Sequence, residues 1–494
     1  MFDDYVSKDS TPLYKSSSGS SKVCHLLWGD GVRFKGSAGS GPRRRVTARG
    51  GRQGFVTKSA LGGASLLEFY FIDVGQGDGI LIKTPGFRHI MIDGGFHRSL
   101  QDTGKNAADF VDWKFVKDYD MTTIKLDAIL ASHCDADHYG GLDDLVDVTE
   151  NSELDATGVT VEAFFHAGLS WWKKPGGRFL GNSTTVNGEK FWTQLLGDRD
   201  HAKSVTGSGN GDKLSGWWHD FIDRIVKTKT SSGQPTPIKR LSNFDQFVPG
   251  FAPNNNGEPQ IRILGPVEFD IGGTPAVRRF PGGESKNTNG VSLLLRVDYG
   301  RTRMLLTGDL NKASQHALLE DYIGQRTEFL CDVAKACHHG SEDVSYQFLQ
   351  AMQPAATIIS SGDNEGHDHP RSSIIAASAT TGYLHLDDEN DDLLTPLIYS
   401  TELARSIDLG SPTKLEEKDS SGKVIDTISG QALKRATLHI KKAKKERIKL
   451  GNAMVVGGLI YGLVNVRTDG NKILCATLDE KDNDWRIKTF NSRF

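Results

Sequence analysis

The chain has 494 residues, a formal net charge of -3 from 59 Lys+Arg against 62 Asp+Glu, and 37% hydrophobic residues. That length holds a full catalytic domain and one or two small additions, and the near-neutral balance excludes a nucleic-acid-coating or disordered protein. No window approaches the roughly twenty apolar residues of a membrane span; the best candidate, Ala453 to Val464, is short and glycine-broken, and the N-terminus shows no secretory pattern.

In chain order, residues 1–21 are polar and end in the low-complexity Ser16 to Ser21, which predicts a flexible leader. Over 22–60, short alternating runs such as His25 to Phe34 and Val46 to Val56 are separated by glycine turns and predict a small β-barrel. Its closing Gly54-Phe55-Val56 step resembles that of bacterial SH3-type modules. Arg43, Arg44, Arg45, Arg49 and Arg52 give it a basic face, open to phosphate, to an acidic protein partner or to solvent alone.

From Leu66 to Lys83 two apolar strands meet at the turn Asp73-Val74-Gly75-Gln76-Gly77-Asp78, and a third strand ends in Ile92-Asp93-Gly94-Gly95. Glycines allow close backbone approach, so Asp73, Gln76 and Asp78 can lie beside the loop that follows, with Asp93 a buried acceptor bracing it. That loop is Ser132-His133-Cys134-Asp135-Ala136-Asp137-His138-Tyr139-Gly140-Gly141, after the buried strand Ile124 to Ala131 and before a helix. Within six positions His133 and Asp135 can point at one ion while Asp137 and His138 point at a second. Mixed imidazole and carboxylate ligation suits zinc and admits manganese or iron. The bland alternative is a polar loop whose aspartates cap the helix.

His-x-Asp-x-Asp-His followed by Gly-Gly is similar to the signature of metallo-β-lactamase-fold hydrolases. The Asp-Val-Gly-Gln-Gly-Asp turn and the Ile-Asp-Gly-Gly ending resemble the branch that contains ComEC-type competence domains and choline-phosphate esterases. The resemblance covers roughly residues 66 to 405 and implies an α/β fold, an αββα sandwich. It would carry the small N-terminal barrel and a small C-terminal α+β extension. The expected division is 1–21 leader, 22–60 barrel, 64–405 hydrolase domain with an insertion at about 150–285, 406–430 linker and 431–494 C-terminal subdomain.

The insertion is rich in Gly, Asn and Ser and carries Trp171, Trp172, Trp192, Trp217 and Trp218. A helix over Leu214 to Val226 would put Trp217, Trp218, Phe221, Ile222 and Ile225 on one face. Its aromatics serve either its own core or stacking on bases and sugars at the active-site rim. His166 reads as a satisfied strand-end histidine.

The family pattern resumes at Asn289-Gly290-Val291-Ser292, in Thr307-Gly308-Asp309, and in His338-His339-Gly340-Ser341. The resemblance makes Asp309 the ligand bridging two divalent ions, zinc or manganese. It assigns His338 to the ion of His133 and Asp135, and leaves His339 to position substrate or protonate a leaving group, the two being exchangeable. His369, before Pro370, completes the Asp137–His138 site, with His367 its rival. Asn289, Ser292 and Ser341 are expected in support.

Three carboxylates around two divalent ions leave one positive charge, enough to hold a bridging hydroxide. Such a site suits a substrate with its own negative charge. The expected activity is therefore phosphodiester hydrolysis, with nucleic acid the leading substrate by resemblance and choline-phosphate esters or cyclic nucleotides open. Asp137, Asp309 and His339 are the expected catalytic residues. A different class of answer is a recognition or effector subunit of a larger assembly, using the barrel or the lysine-rich Leu433 to Leu450 to meet partners. The five scattered cysteines (Cys24, Cys134, Cys331, Cys337, Cys475) have no paired spacing and predict reduced thiols in the cytoplasm.

Overall fold

A computed structural model describes the chain except residues 1, 38, 102–103, 255, 362–368, 388, 402–406, 411–413, 420–422, 436, 440–446, 450–454, 460–462 and 480–483. It divides into two compact units, Met1–Ala404 with Gly462–Phe494, and Arg405–Tyr461.

The first unit is built on two facing sheets. One has nine strands in the order Ile238–Arg240, Phe164–His166, Ala128–Ala131, His89–Gly94, Gly79–Lys83, Leu67–Ile72, Leu463–Thr468, Lys472–Asp479, Asp484–Asn491. The other has six, in the order Gln260–Gly265, Leu294–Tyr299, Thr302–Leu306, Val333–Lys335, Ala356–Ile359, Leu397–Ser400. In the six-stranded sheet the side-chain period of two decides the layering. Leu295, Leu306 and Val333 enter the core shared with the nine-stranded sheet. Their neighbours Leu294, Leu305 and Ala334 face the other way, onto Leu318, Phe348 and Ile374 of the covering helices Lys312–Asp321, Tyr346–Met352 and Ser372–Thr381. A strand buried on both faces reads as a continuous apolar run. The helices Ala107–Trp113 and Ala136–Val146 contribute Val111, Leu142 and Leu145 to the core of the nine-stranded sheet. The result is the αββα sandwich.

At the N-terminus six strands between Asp4 and Thr57 form one sheet around Val6, Leu13, Leu26, Val32, Val46 and Val56. The expected flexible leader is therefore part of it: Ser10–Tyr14 pairs with Lys22–Leu27, and Val6 and Leu13 are fully buried. Two apolar anchors outweigh a serine-rich composition. The chain's last strands likewise differ from a separate subdomain. Leu463–Thr468 pairs antiparallel with Leu67–Ile72, with Val466 opposite Phe69. Buried Arg467 binds Asp30 at 2.7 Å, Glu68 at 3.4 Å and the Trp28 carbonyl at 2.6 Å, joining three distant parts of the chain.

The insertion is less separate than its composition suggests, since Phe164–His166, Ile238–Arg240 and Gln260–Gly265 are strands of the main sheets. Between them lie a four-stranded sheet (Ser183–Val186, Glu189–Trp192, Thr274–Arg278, Glu268–Ile271) and the helices Arg199–Thr206 and Gly216–Lys227. In the second helix Trp218, Phe221, Ile222 and Ile225 are buried at i, i+3, i+4 and i+7, whereas Trp217 is 52% exposed. One residue is a 100° step around the helix, enough to leave the buried stripe.

The second unit pairs Ile407–Gly410 with Val455–Leu459, Lys414–Lys418 with Val424–Ser429, and Thr437–His439 with Arg447–Lys449, and has a short helix Gly430–Arg435. The segment read as a linker thus holds a hairpin. The lysines at 441–445 lie outside the described residues. Among the described residues no helix is long and apolar enough to cross a membrane.

Candidate metal centre

The ends of the central strands of both sheets meet at one cleft. Ala128–Ala131 delivers the loop 132–135, and Asp137 and His138 occupy the first turn of the helix after it. That helix start packs against the Asp93-Gly94-Gly95 turn so closely that glycine is obligatory: a Cβ on Gly141 would lie 2.0 Å from the Gly94 carbonyl. From the other sheet, Thr302–Leu306 ends in Thr307-Gly308-Asp309, and Val333–Lys335 leads to His338 and His339. Both histidines have left-handed backbones, at φ 47° and 52°, a conformation uncommon for such residues and concentrated at functional sites. It turns both rings to the centre, 6.1 Å apart.

Asp137, His138, Asp309 and His339 bring four donor atoms together. Asp309 Oδ2 is 3.3 Å from His138 Nε2 and 2.9 Å from His339 Nε2, and both nitrogens are 4.0 Å from Asp137 Oδ2. Ligand atoms around a tetrahedral ion at ~2.1 Å stand about 3.4 Å apart, so the group fits a divalent metal. Both Nε2 atoms are buried without a hydrogen-bond partner, as are His133 Nε2 and His338 Nδ1. Buried polar atoms ordinarily find partners, and a divalent cation among Asp137, His138, Asp309 and His339 would supply the missing one.

Beside this group, His133 Nε2 is 3.7 Å from Asp135 Oδ2 and His338 Nε2 is 3.9 Å from Asp309 Oδ2. The Asn289 amide, oriented to satisfy its neighbours, donates to Asp135 Oδ2 and accepts from His338 Nε2, both at 3.2 Å. Asn289 thus links His338 to Asp135. His339, rather than His369, stands with Asp137 and His138. His339 is 1% exposed, with Nδ1 donating to the Ser360 carbonyl at 3.0 Å, so it does not face the cleft where a leaving group would sit. His369 lines the cleft, its ring 6.0 Å from that of His338; its rival His367 lies outside the described residues.

The supporting residues are unequal. Asp93 accepts from the Ser132 amide at 2.7 Å and lies 2.8 Å from His138 Nδ1, fixing that ring. Asp78 is 3.4 Å from His339 Nδ1. Ser292 Oγ accepts from the Asp309 amide at 3.1 Å and lies 3.3 Å from His133 Nδ1. Gln76 lines the cleft, whereas Asp73 accepts from the Gly75 amide within its own turn. Ser341 accepts from the Asp343 amide, a turn contact outside the donor group. His166 donates from Nε2 to the Gly197 carbonyl at 3.0 Å while its Nδ1 is buried without a partner, and burial lowers its pKa to about 3.

Three contributors carry no motif. Thr288 Oγ1 donates to Asp135 Oδ2 at 2.6 Å, and Trp171 Nε1 to the Cys134 carbonyl at 3.0 Å. Lys335, fully buried, pairs with Asp78 at 2.5 Å, Asp309 at 3.4 Å and the Gly308 carbonyl at 2.9 Å. A lysine closing the apolar run Val333-Ala334 was the available signal.

The electrostatics favour positive charge. Burial would raise Asp309, but His339, His138 and Lys335 hold it well below the carboxylate range. Burial opposes charge on His339, yet Asp309 and Asp78 lift it to about 9. His138 goes well above its ordinary value against the same burial penalty, through Asp309 and Asp93. His133, dominated by burial, stays neutral, and burial with Asp137 nearby raises Asp135 to about 7. Without metal, protons occupy the places a cation would take.

The cleft above the donors has a volume of about 620 Å³ and is lined by Asp135, Asp137, Asp309, His338, His369 and Asn289, with Trp171, Arg178 and Trp217 from the insertion.

Among curated proteins, the chain is 33% identical over 158 residues to ComE operon protein 3 of Bacillus subtilis, covering 32% of this chain and 19% of that protein. It is 35% identical over 94 residues to competence protein ComA of Neisseria gonorrhoeae, covering 18% and 13%. The matched stretches are thus a small part of either relative. Among solved structures, a metal-dependent hydrolase of the β-lactamase superfamily aligns over 68% of this chain and 96% of its own, at 11% identity and TM-score 0.30. A diphosphatase of the PhnP family aligns over 59% and 86%, at 11% identity and TM-score 0.26. The model of the metallo-β-lactamase superfamily matches residues 72–362, from the first strand's end through both histidines of the 338–339 turn. That span exceeds half of the chain, and the chain belongs to the metallo-β-lactamase superfamily.

Proposed function

We propose that this chain is a metal-dependent phosphodiesterase, with nucleic acid the leading substrate. The observation that carries the reading is the convergence of Asp137, His138, Asp309 and His339, two of them with orphaned Nε2 atoms, at the floor of an open cleft. Those four would hold one divalent ion, and His133, Asp135, Asp309 and His338 a second, with zinc or manganese suiting the mixed donor set. Bound metal supplies Lewis acidity at phosphoryl oxygens and lowers the pKa of water.

The chain's own residues prepare the site. Asp93 and the Ser360 carbonyl fix the tautomers of His138 and His339 by engaging Nδ1, so that each Nε2 lone pair faces the floor. Lys335 offsets the crowded carboxylates from below. Cleft-facing His369 is left to orient substrate. A carboxylate-rich floor favours an anionic ester, which brings charge of its own, over a neutral amide. The resemblance to competence proteins supports nucleic acid. Five free, buried cysteines support a reducing, cytoplasmic setting.

The test is metal analysis with turnover. Purified protein should hold about two ions and, with Mn or Zn, cleave single-stranded DNA, duplex DNA, RNA or a generic phosphodiester. Asp309→Ala should lose at least about 10³-fold in rate, the several kcal/mol that metal assistance supplies. Unchanged hydrolysis in Asp309→Ala would overturn the assignment.

A further inference from the structure

Of the five insertion tryptophans, Trp171, Trp172, Trp192 and Trp218 are buried, and Trp217 alone is exposed. It is not a loose surface residue. It begins the helix Gly216–Lys227 and lines the cleft, its ring held edge-on to His97 with centroids 5.3 Å apart. His97 in turn lies 3.3 Å from Asp144 and 3.7 Å from Asp143. A large ring kept half in water at the lip of a catalytic cleft, on a fixed support, is a stacking platform.

Arg178 lines the same cleft, the single arginine or lysine among its described lining residues. Its guanidinium lies over the Trp171 ring, 3.8 Å from the centroid. Trp171 itself is anchored to the metal loop through the Cys134 carbonyl. No ion pair of Arg178 occurs among the described residues, so its donors remain available to a ligand. A planar guanidinium braced on an aromatic face is suited to bidentate recognition of phosphate.

Resting on the phosphodiesterase reading, we propose that the insertion builds a nucleotide subsite on the cleft rim: Trp217 stacks on a base, and Arg178, braced on Trp171, binds a phosphate flanking the scissile one. The cleft volume lies within the range of ~300–1,000 Å³ that holds small organic ligands. A choline ester also carries a phosphate, and its quaternary ammonium could face an exposed tryptophan, so glycerophosphocholine is the competing ligand that the titration must separate from a nucleotide unit.

The experiment titrates the full chain, in chelator, with a 5′-phosphorylated dinucleotide, its abasic counterpart and glycerophosphocholine, and then measures kcat/KM on the same compounds with Mn. Wild type should prefer the base-bearing ligand. Trp217→Ala should cut that preference by about 5- to 150-fold, the range for one base–aromatic stack, and Trp217→Phe should restore most of it. Arg178→Ala should weaken both phosphorylated ligands alike, by about 10- to 150-fold for a charge-assisted contact. Equal base preference in wild type and Trp217→Ala, or a wild type that binds the abasic or choline ligand as tightly, would overturn the subsite. Base-selective binding with no hydrolysis of any phosphodiester would keep the subsite and remove the hydrolytic reading. Hydrolysis without base preference would do the reverse.

Discussion

The floor of the cleft and its wall are built on opposite terms. On the floor, the histidines His133, His138 and His339 are buried and have their far sides engaged: Asp93 behind His138, Ser360 and Asp78 behind His339, Ser292 behind His133. The wall consists of exposed Trp217 and Arg178, each resting on one aromatic neighbour. A buried, charge-dense floor must be internally complete, because an unpaired charge away from water costs several kcal/mol. The wall carries no such obligation, so it can be altered without disturbing the chemistry beneath.

The comparison is tested hardest at Lys335. Its partner Asp78 is equally buried, so Lys335→Met strands a carboxylate and should cost about 3–5 kcal/mol of stability. Denaturant titration of Lys335→Met against the double variant with Asp78→Asn checks this; no recovery in the double variant would break the account of a paired floor.

Acidity sharpens it next. In metal-free protein His339 stands at about 9, above its ordinary 6.5. Its proton therefore stabilises the fold fully below pH 6.5, and that contribution is lost as pH rises through 9. A metal ion must displace the same proton, so apparent metal affinity should rise by up to about tenfold per pH unit across that window. Competition titrations at several pH values measure the slope, and a flat profile would contradict the geometry.

A smaller loss is expected at Asp93, which braces His138 without belonging to the donor group of four. Asp93→Asn should weaken metal affinity about 10- to 100-fold, as changes behind a ligand do, and should lower the melting temperature of the metal-free protein, in which Asp93 supports the charged His138 ring. A loss as large as that of Asp309→Ala would place Asp93 among the ligands.

The floor was legible in the sequence because its donors sit in short runs, His133 to His138, Thr307 to Asp309 and His338-His339, each at the end of an apolar strand. Local spacing carried the chemistry. What the runs did not carry was which of His338, His339 and His369 faces which donor. That is decided by two left-handed residues and a buried carbonyl at Ser360, which are tertiary facts. Lys335 and Thr288 act across 257 and 153 positions from Asp78 and Asp135, and no pattern links them before folding. At the wall, the helix in the insertion was readable from its period, but the outward turn of Trp217 needed the neighbouring helix to define the buried side. In the same way, Val6 and Leu13 were hidden by serine-rich surroundings, and the strands after Leu463 by the distance to their partner Leu67–Ile72.

That last pairing has a consequence for how the protein is made. The edge of the nine-stranded sheet at Leu67–Ile72 stays bare on the ribosome until nearly 400 further residues have been polymerised and Leu463–Thr468 arrives. Until Arg467 docks, Glu68 and Asp30 lack their shared counter-ion. A chain stopped anywhere in the second unit would therefore carry every candidate metal ligand and still display an unfinished strand to chaperones and proteases.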